Sequence, residues 1–249
     1  MAFLQVSYFS QVLDVTASVN VLLPEKAADP AHPPKVLYLL HGYSNDHTAW
    51  MRKSSIERYA EPFNLAVIMP AVNHSFYCNE AYGERYWDFV SDELPRTMQR
   101  MFRLSDRPED TFVAGLSMGG YGAMRLALTY PERFRAAGSF SGAVLIDAFA
   151  GKAAYDAVAM RLFGENRNRT DTEVDLRWLL RQNAAAPHKP RLYVSCGTED
   201  FLFDMHRAFV PLAEQAGWDV THREEPGASH AWEFWDAEIR RFLAFIAEA

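Results

Sequence analysis

Cysteine, excess positive charge and long apolar runs are all scarce in this chain, and each scarcity removes a class of protein. Cysteine occurs twice in 249 residues, at Cys78 and Cys196. Two lone thiols without metal-type spacing exclude a disulfide framework and fit a reducing compartment. Cys196, at the end of an apolar run, reads as a small core residue. No apolar stretch approaches the ~20 residues needed to span a bilayer. Lys and Arg number 25 against 32 Asp and Glu, a formal charge of −7, with a pI near 5.6. That balance argues against nucleic acid or an anionic membrane as partner. Met1-Ala2-Phe3-Leu4-Gln5-Val6-Ser7 has no basic segment and no small-residue cleavage signal, so export is not expected. The histidines are scattered, and neither H-E-x-x-H nor C-x-x-C occurs, so neither metal nor cofactor is expected. The expectation is a soluble cytoplasmic protein acting on a small molecule.

What is present is apolar. Hydrophobic residues make up 49% and aromatic residues 14%, enough for a large core and an aromatic-lined pocket. Length, and the absence of linkers or repeats, predict a single domain over residues 1–249. Residues 3–23 alternate loosely around a polar break, as an antiparallel hairpin at a sheet edge does, and a Pro- and Ala-rich loop follows at 24–34. Residues 36–40, 65–69, 111–114 and 192–195 are continuous apolar runs, the texture of parallel strands covered on both faces. Between and after them lie helical stripes, clearest at Trp235, Ile239, Phe242, Leu243 and Ile246. Alternating strand and helix predicts a doubly wound, mostly parallel α/β sheet with helices on both faces. Residues 145–188 interrupt the alternation. They read as a cap-like helical insertion over the active edge, its second helix opening at the capping-box spelling Thr170-x-x-Glu173.

The chemistry starts at Gly115-Leu116-Ser117-Met118-Gly119, between the run ending at Ala114 and a helical stretch from Gly120. G-x-S-x-G alone arises by chance in roughly one chain in ten of this length. Between a strand and a helix it spells the nucleophile elbow of the α/β-hydrolase fold, a strained turn that lifts Ser Oγ off the sheet edge. Glycines flank it because side chains would clash there and because strained backbone is cheapest for glycine. Serine needs a base, and the base a carboxylate, in the chain order Ser, acid, His. Of the histidines after Ser117, His188 precedes a strand, His206 lies in a helix and His222 in a polar strand pattern. His230, in the loop before the last helix, is the candidate base. Asp200 directly follows the run at 192–195 and is the candidate acid; Glu199, Asp204 and Asp147 are its competitors. The oxyanion donors are expected to be the N–H groups of Met118 and Tyr43, the latter in His41-Gly42-Tyr43-Ser44-Asn45. His41 reads as a hydrogen-bonded loop residue. Phe76, Tyr77 and Trp87, with Tyr82 and Tyr86, lie in a long loop at the active edge as pocket wall or packed surface. Phe76, Tyr77 and Trp87 are the candidate substrate contacts.

Leu40-His41-Gly42, Asn45, Trp50, Ala81-Tyr82-Gly83, Glu93-Leu94-Pro95, Ala114 through Gly122, Phe140-Ser141-Gly142, Gly197-x-x-Asp200 and His230-x-Trp232-x-x-Trp235 together resemble the putative-esterase family. That family holds esterase D (S-formylglutathione hydrolase), tributyrin-type esterases, feruloyl and acetylxylan esterases and mycolyltransferases. The likeness runs from about residue 35 to the C-terminus and is nearest to the small tributyrin esterases. It implies a serine carboxylesterase for short acyl chains, with Ser117, Asp200 and His230 as triad and Tyr43 and Met118 as oxyanion donors. At the oxyanion loop esterase D spells Ser-Gly-Leu-Thr-Cys where this chain has His-Gly-Tyr-Ser-Asn, which sets S-formylglutathione second. Beside it stand feruloyl or acetylxylan esters as substrates and, outside catalysis, a silent α/β-hydrolase scaffold that binds a ligand. A homo-oligomer is left open.

Overall fold

The computed structural model describes residues 1–25, 32–146, 155–165 and 169–248. Among them a single sheet runs β1 (Ala2–Ser10), β2 (Val15–Leu23), β4 (Leu65–Pro70), β3 (Lys35–Leu40), β5 (Thr111–Leu116), β6 (Ala136–Phe140), β7 (Arg191–Gly197) and β8 (Val220–Glu225). β1 and β2 form the antiparallel hairpin at one edge, and β2 meets β4 antiparallel. Every pairing from β4 to β8 is parallel. No helix among the described residues is long and apolar enough to cross a membrane.

The unbroken apolar runs follow from two-sided burial. Val36, Tyr38 and Leu40 of β3 enter one core with Ala66 and Ile68 of β4, beneath helices Leu94–Phe102, Met118–Thr129, Leu176–Gln182 and Phe203–Gln215. Leu37 and Leu39 enter the other with Val67 and Met69, beneath Ala49–Lys53, Ile56–Ala60 and the terminal helix Trp232–Ala247. A strand buried on both faces has no polar side to alternate with.

The central strands end in register. Leu40 of β3 lies opposite Gly115 of β5, Leu116 of β5 opposite Phe140 of β6, and Phe140 opposite Ser195 of β7. The loops leaving these strands therefore share one edge, where ligands bind in open α/β sheets.

Two expectations for residues 145–188 are corrected. Leu176–Gln182 packs on the Met118–Thr129 and Phe203–Gln215 helices, so it is the ordinary crossover between β6 and β7 and not a cap. Its start is not a capping box at Thr170 either. Asp175 is the N-cap and accepts from the Arg177 N–H at 3.0 Å, while the Thr172 hydroxyl turns back to the Arg169 carbonyl. The short acidic side chain caps better than the Thr-x-x-Glu spelling five residues earlier. The other helix of the segment, Asp156–Phe163, flanks the active edge and is tied to the preceding loop. Its carbonyls at Arg161 and Leu162 accept the N–H groups of Tyr82 and Ala81, and Arg161 pairs with Glu80 at 3.1 Å. Asp147, the reserve candidate acid, lies outside the described residues.

Candidate active site

Ser117 stands between β5 and the Met118–Thr129 helix with φ 53° and ψ −117°, a backbone state that a side-chain-bearing residue holds only when its surroundings enforce it. Close packing does the enforcing. A methyl at Gly119 would lie 2.4 Å from the Leu40 carbonyl oxygen and 2.7 Å from that of His41. One at Gly115 would lie 2.5 Å from the Gly119 carbonyl. The flanking glycines are thus explained by close approach alone, because the positive φ falls on the serine and not on them. The Ser117 N–H donates to Phe140 at 2.9 Å, and its carbonyl accepts from Tyr121 and Ala143.

His230 reaches this turn from the loop after β8, its Nε2 3.1 Å from Ser117 Oγ. Nδ1 faces both oxygens of Asp200, at 2.8 and 3.0 Å. The Asp200 side chain is fully buried, and it accepts the Leu202 N–H at 2.9 Å. Burial pushes its carboxyl up, but the hydrogen bonds from His230 and the Leu202 N–H and the His230 charge hold it below its ordinary value. Glu199 and Asp204 are exposed. His206 is buried in its helix, and His188 lines a separate cleft near the opposite ends of the strands. The structure therefore brings Ser117, His230 and Asp200 together, and leaves their described competitors apart.

The loop after β3 is braced from three sides. His41 is buried, its Nδ1 bonded to the Gly42 carbonyl at 2.8 Å while Nε2 accepts the Val72 N–H at 3.1 Å. That pairing assigns the neutral ring with the proton on Nδ1. The Trp50 indole N–H donates to the Leu40 carbonyl at 3.0 Å and the Tyr77 hydroxyl to the His41 carbonyl at 2.9 Å. The brace holds Gly42 against the elbow, where a methyl would lie 3.5 Å from Ser117 Cβ. Among the described residues neither the Tyr43 nor the Met118 N–H donates to a backbone carbonyl.

A cleft of about 490 Å³ opens over Ser117. Of the expected substrate contacts, Phe76 lines it, as does Tyr43, whose ring lies 5.8 Å from that of Phe76. Tyr77 and Trp87 do not. Tyr77 is fully buried and spends its hydroxyl on His41, and its ring fills the space above Gly122. Trp87 stacks on Tyr130 with the Arg125 guanidinium 3.9 Å from its ring. Phe201, Trp232 and Tyr155 line the cleft instead. The first two flank Asp200 and His230 in sequence, a signal that was available; Tyr155 has none.

A family model described as putative esterase matches residues 10–246. An acetyl esterase of Caldicellulosiruptor saccharolyticus is 31% identical over 266 residues, covering 100% of this chain and 99% of that protein. The chain belongs to the putative-esterase family. Two solved Staphylococcus aureus structures are similar, each 33% identical with 98% of both chains covered. The fluorophosphonate-binding serine hydrolase F superimposes with a TM-score of 0.92 and an S-formylglutathione hydrolase with 0.88. Like other members of the putative-esterase family, this α/β-hydrolase is a carboxylic ester hydrolase.

The buried histidines give this esterase an acid-sensitive stability. Burial lowers the His41 pKa to about 4, against the opposing pull of its bond to Gly42. Burial and the neighbouring His222 likewise take His206 to about 4. Above the ordinary value of 6.5 both rings are neutral, folded or unfolded. Between about 6.5 and 4 only the unfolded chain takes up the protons, so stability is lost as pH falls through that window and levels off below it. The loss should reach up to ~3 kcal/mol for each ring. Urea unfolding at pH 7, 5.5 and 4.5 checks this, and His206→Leu should remove about half of the slope. A stability flat across that range would contradict it.

Proposed function

We propose that Ser117, His230 and Asp200 act as a catalytic triad in hydrolysing short-chain esters through an acyl-enzyme. The observation that carries the reading is the hydrogen-bonded series from Asp200 through His230 to Ser117 Oγ. In the first half-reaction Ser117 Oγ attacks the acyl carbon, and its proton passes to His230 Nε2. The oxyanion takes hydrogen bonds from the Tyr43 and Met118 N–H groups, each worth ~3 kcal/mol in the transition state. The positive end of the helix starting at Met118 adds to that field. On collapse His230 returns the proton to the departing alcohol. Water then attacks the acyl-serine with His230 as base again, releasing the acid and restoring Ser117. Asp200 stays ionised throughout and holds the imidazole in one tautomer.

Ser117→Ala should remain folded with kcat down ~10⁴-fold or more, and Asp200→Asn should lower kcat by ~10²–10⁴. Initial rates on p-nitrophenyl acetate check both. Appreciable turnover by Ser117→Ala would sink the assignment, and damage from Asp204→Asn in place of Asp200→Asn would move the acid.

The substrate we infer is a neutral ester with a small acyl group. Leu116, Ala143, Phe76 and Trp235 are among the walls around Ser117, and the described lining includes no Asp, Glu, Lys or Arg. The acetyl esterase relative agrees with this reading. The S-formylglutathione hydrolase at 33% identity supports a second reading. Glutathione brings two carboxylates, for which the described lining offers no Lys or Arg. Buried free thiols at Cys78 and Cys196 fit a cytoplasmic location. Each buried methylene adds ~0.8 kcal/mol until the pocket is full, after which overpacking reverses the trend. Across p-nitrophenyl esters kcat/KM should peak between acetyl and butyryl and fall by octanoyl. A rise out to dodecanoyl would indicate an open groove. A value for S-formylglutathione at least about a hundredfold above p-nitrophenyl acetate, some 2.7 kcal/mol in transition-state binding, would make the second reading correct.

A further inference from the structure

When the acyl-enzyme forms, the departing alcohol oxygen takes a proton from His230 Nε2 and must lie within hydrogen-bond reach of it. The carbonyl oxygen turns to the N–H groups of Tyr43 and Met118, so the alcohol group falls on the His230 side of Ser117. The cleft is not the same on its two sides. The loop after β3 brings the polar side chains of Ser44 and Asn45 into the lining. The segments after β7 and β8 bring Phe201, Leu202, Ala231, Trp232 and Trp235, which with His230 include no hydroxyl and no Asp, Glu, Lys or Arg. Two of these rings meet the imidazole. Trp235 stands edge-on to it with centroids 4.8 Å apart, and Phe201 lies at 4.5 Å with the planes at 50°. Trp235 is 5% exposed, whereas Phe201 is 68% exposed. A single exposed phenylalanine is ordinary on a protein surface. One that lines the cleft against the base that protonates the leaving group is placed to meet that group.

Resting on the triad reading, we infer that Phe201 is the wall of a subsite for the leaving alcohol, and that this subsite selects esters of aromatic alcohols. An aromatic ring joined to the departing oxygen directly, or through one carbon, comes within reach of Phe201, since aromatic pairs attract at centroid separations of roughly 4.5–7 Å. Such a pair removes the exposed face of Phe201 from water together with that of the substrate. A methyl or ethyl group in the same place covers little of it. A sugar hydroxyl or a glutathione carboxylate brought to this side gives up water and finds neither a hydroxyl nor a cationic side chain in the described lining. Specificity for the alcohol is thereby separated from specificity for the acyl group, which the remaining walls around Ser117 limit by size.

Phenyl, cyclohexyl and ethyl acetate share one acyl group and differ in the alcohol. Comparing parent with Phe201→Ala on each ester cancels the intrinsic reactivity of the leaving group. Because the side chain is exposed, the variant should keep its fold. Its kcat/KM for phenyl acetate should fall about tenfold further than its kcat/KM for ethyl acetate. Cyclohexyl acetate, apolar but not planar, should fall by less than phenyl acetate. Phe201→Tyr, which keeps the ring, should hold the phenyl-to-ethyl ratio within about threefold of the parent. Falls equal within about twofold for phenyl and ethyl acetate would show that Phe201 acts through His230, or not at all, and would overturn the subsite. A cyclohexyl ester as sensitive as the phenyl ester would overturn its aromatic selectivity. Ser117→Ala measured alongside separates the two readings. An inactive Ser117→Ala beside equal falls in Phe201→Ala rejects the subsite alone, whereas appreciable turnover by Ser117→Ala removes the triad and the subsite with it.

Discussion

The close approach of Gly119 to the last carbonyls of β3 is the constraint on which the active edge depends. There is no room for a methyl group at that contact. It draws the first turn of the Met118–Thr129 helix against the end of the neighbouring strand, and the chain can connect β5 to that helix only by placing Ser117 at positive φ. The cost of that conformation, of order 1–3 kcal/mol, is offset by the two cores that clamp β3 and β5 from both sides. A consequence is that the nucleophile and the His41–Tyr43 loop cannot be displaced independently. The same carbonyls that crowd Gly119 belong to Leu40 and His41, which Trp50 and Tyr77 also hold.

Around that fixed point the sheet order distributes the chemistry. β3 lies on one side of β5, and β6, β7 and β8 lie on the other. The loop bearing Tyr43 therefore approaches Ser117 from one side, while Asp200 and His230 approach from the other, after β7 and β8. In the mechanism we propose, polarising donors and proton-transfer groups are kept apart by topology before any side chain is chosen. Asp200 is the deepest member of the series. Its charge is buried and yet fully partnered, the condition under which a buried carboxylate remains ionised.

Much of this was legible from residue order. Parallel strands buried on both faces read as unbroken apolar runs, and the glycines around Ser117 as an elbow. Asp200 and His230 stood out because each follows a strand and the fold orders serine, acid and base along the chain. What was not legible depends on contacts between distant segments. Tyr77 and Trp87 sit in the right loop, but that loop turns through left-handed residues at Phe76 and Tyr77. The turn sends the Phe76 ring into the cleft and that of Tyr77 beneath it. The polar stretch before Leu176 disguised an ordinary crossover helix as an excursion, since its cap is Asp175 and the helix is only seven residues long.

The central claim is that Ser117 is made nucleophilic by His230, itself held by Asp200. Its most direct test is the rate of covalent labelling by a fluorophosphonate, followed by intact mass and peptide mapping. The account requires one adduct per chain on Ser117, with the rate of labelling lowered by at least ~10²-fold in His230→Ala while that variant stays folded. Adduct on another residue, or labelling of Ser117 at an undiminished rate without His230, would contradict it.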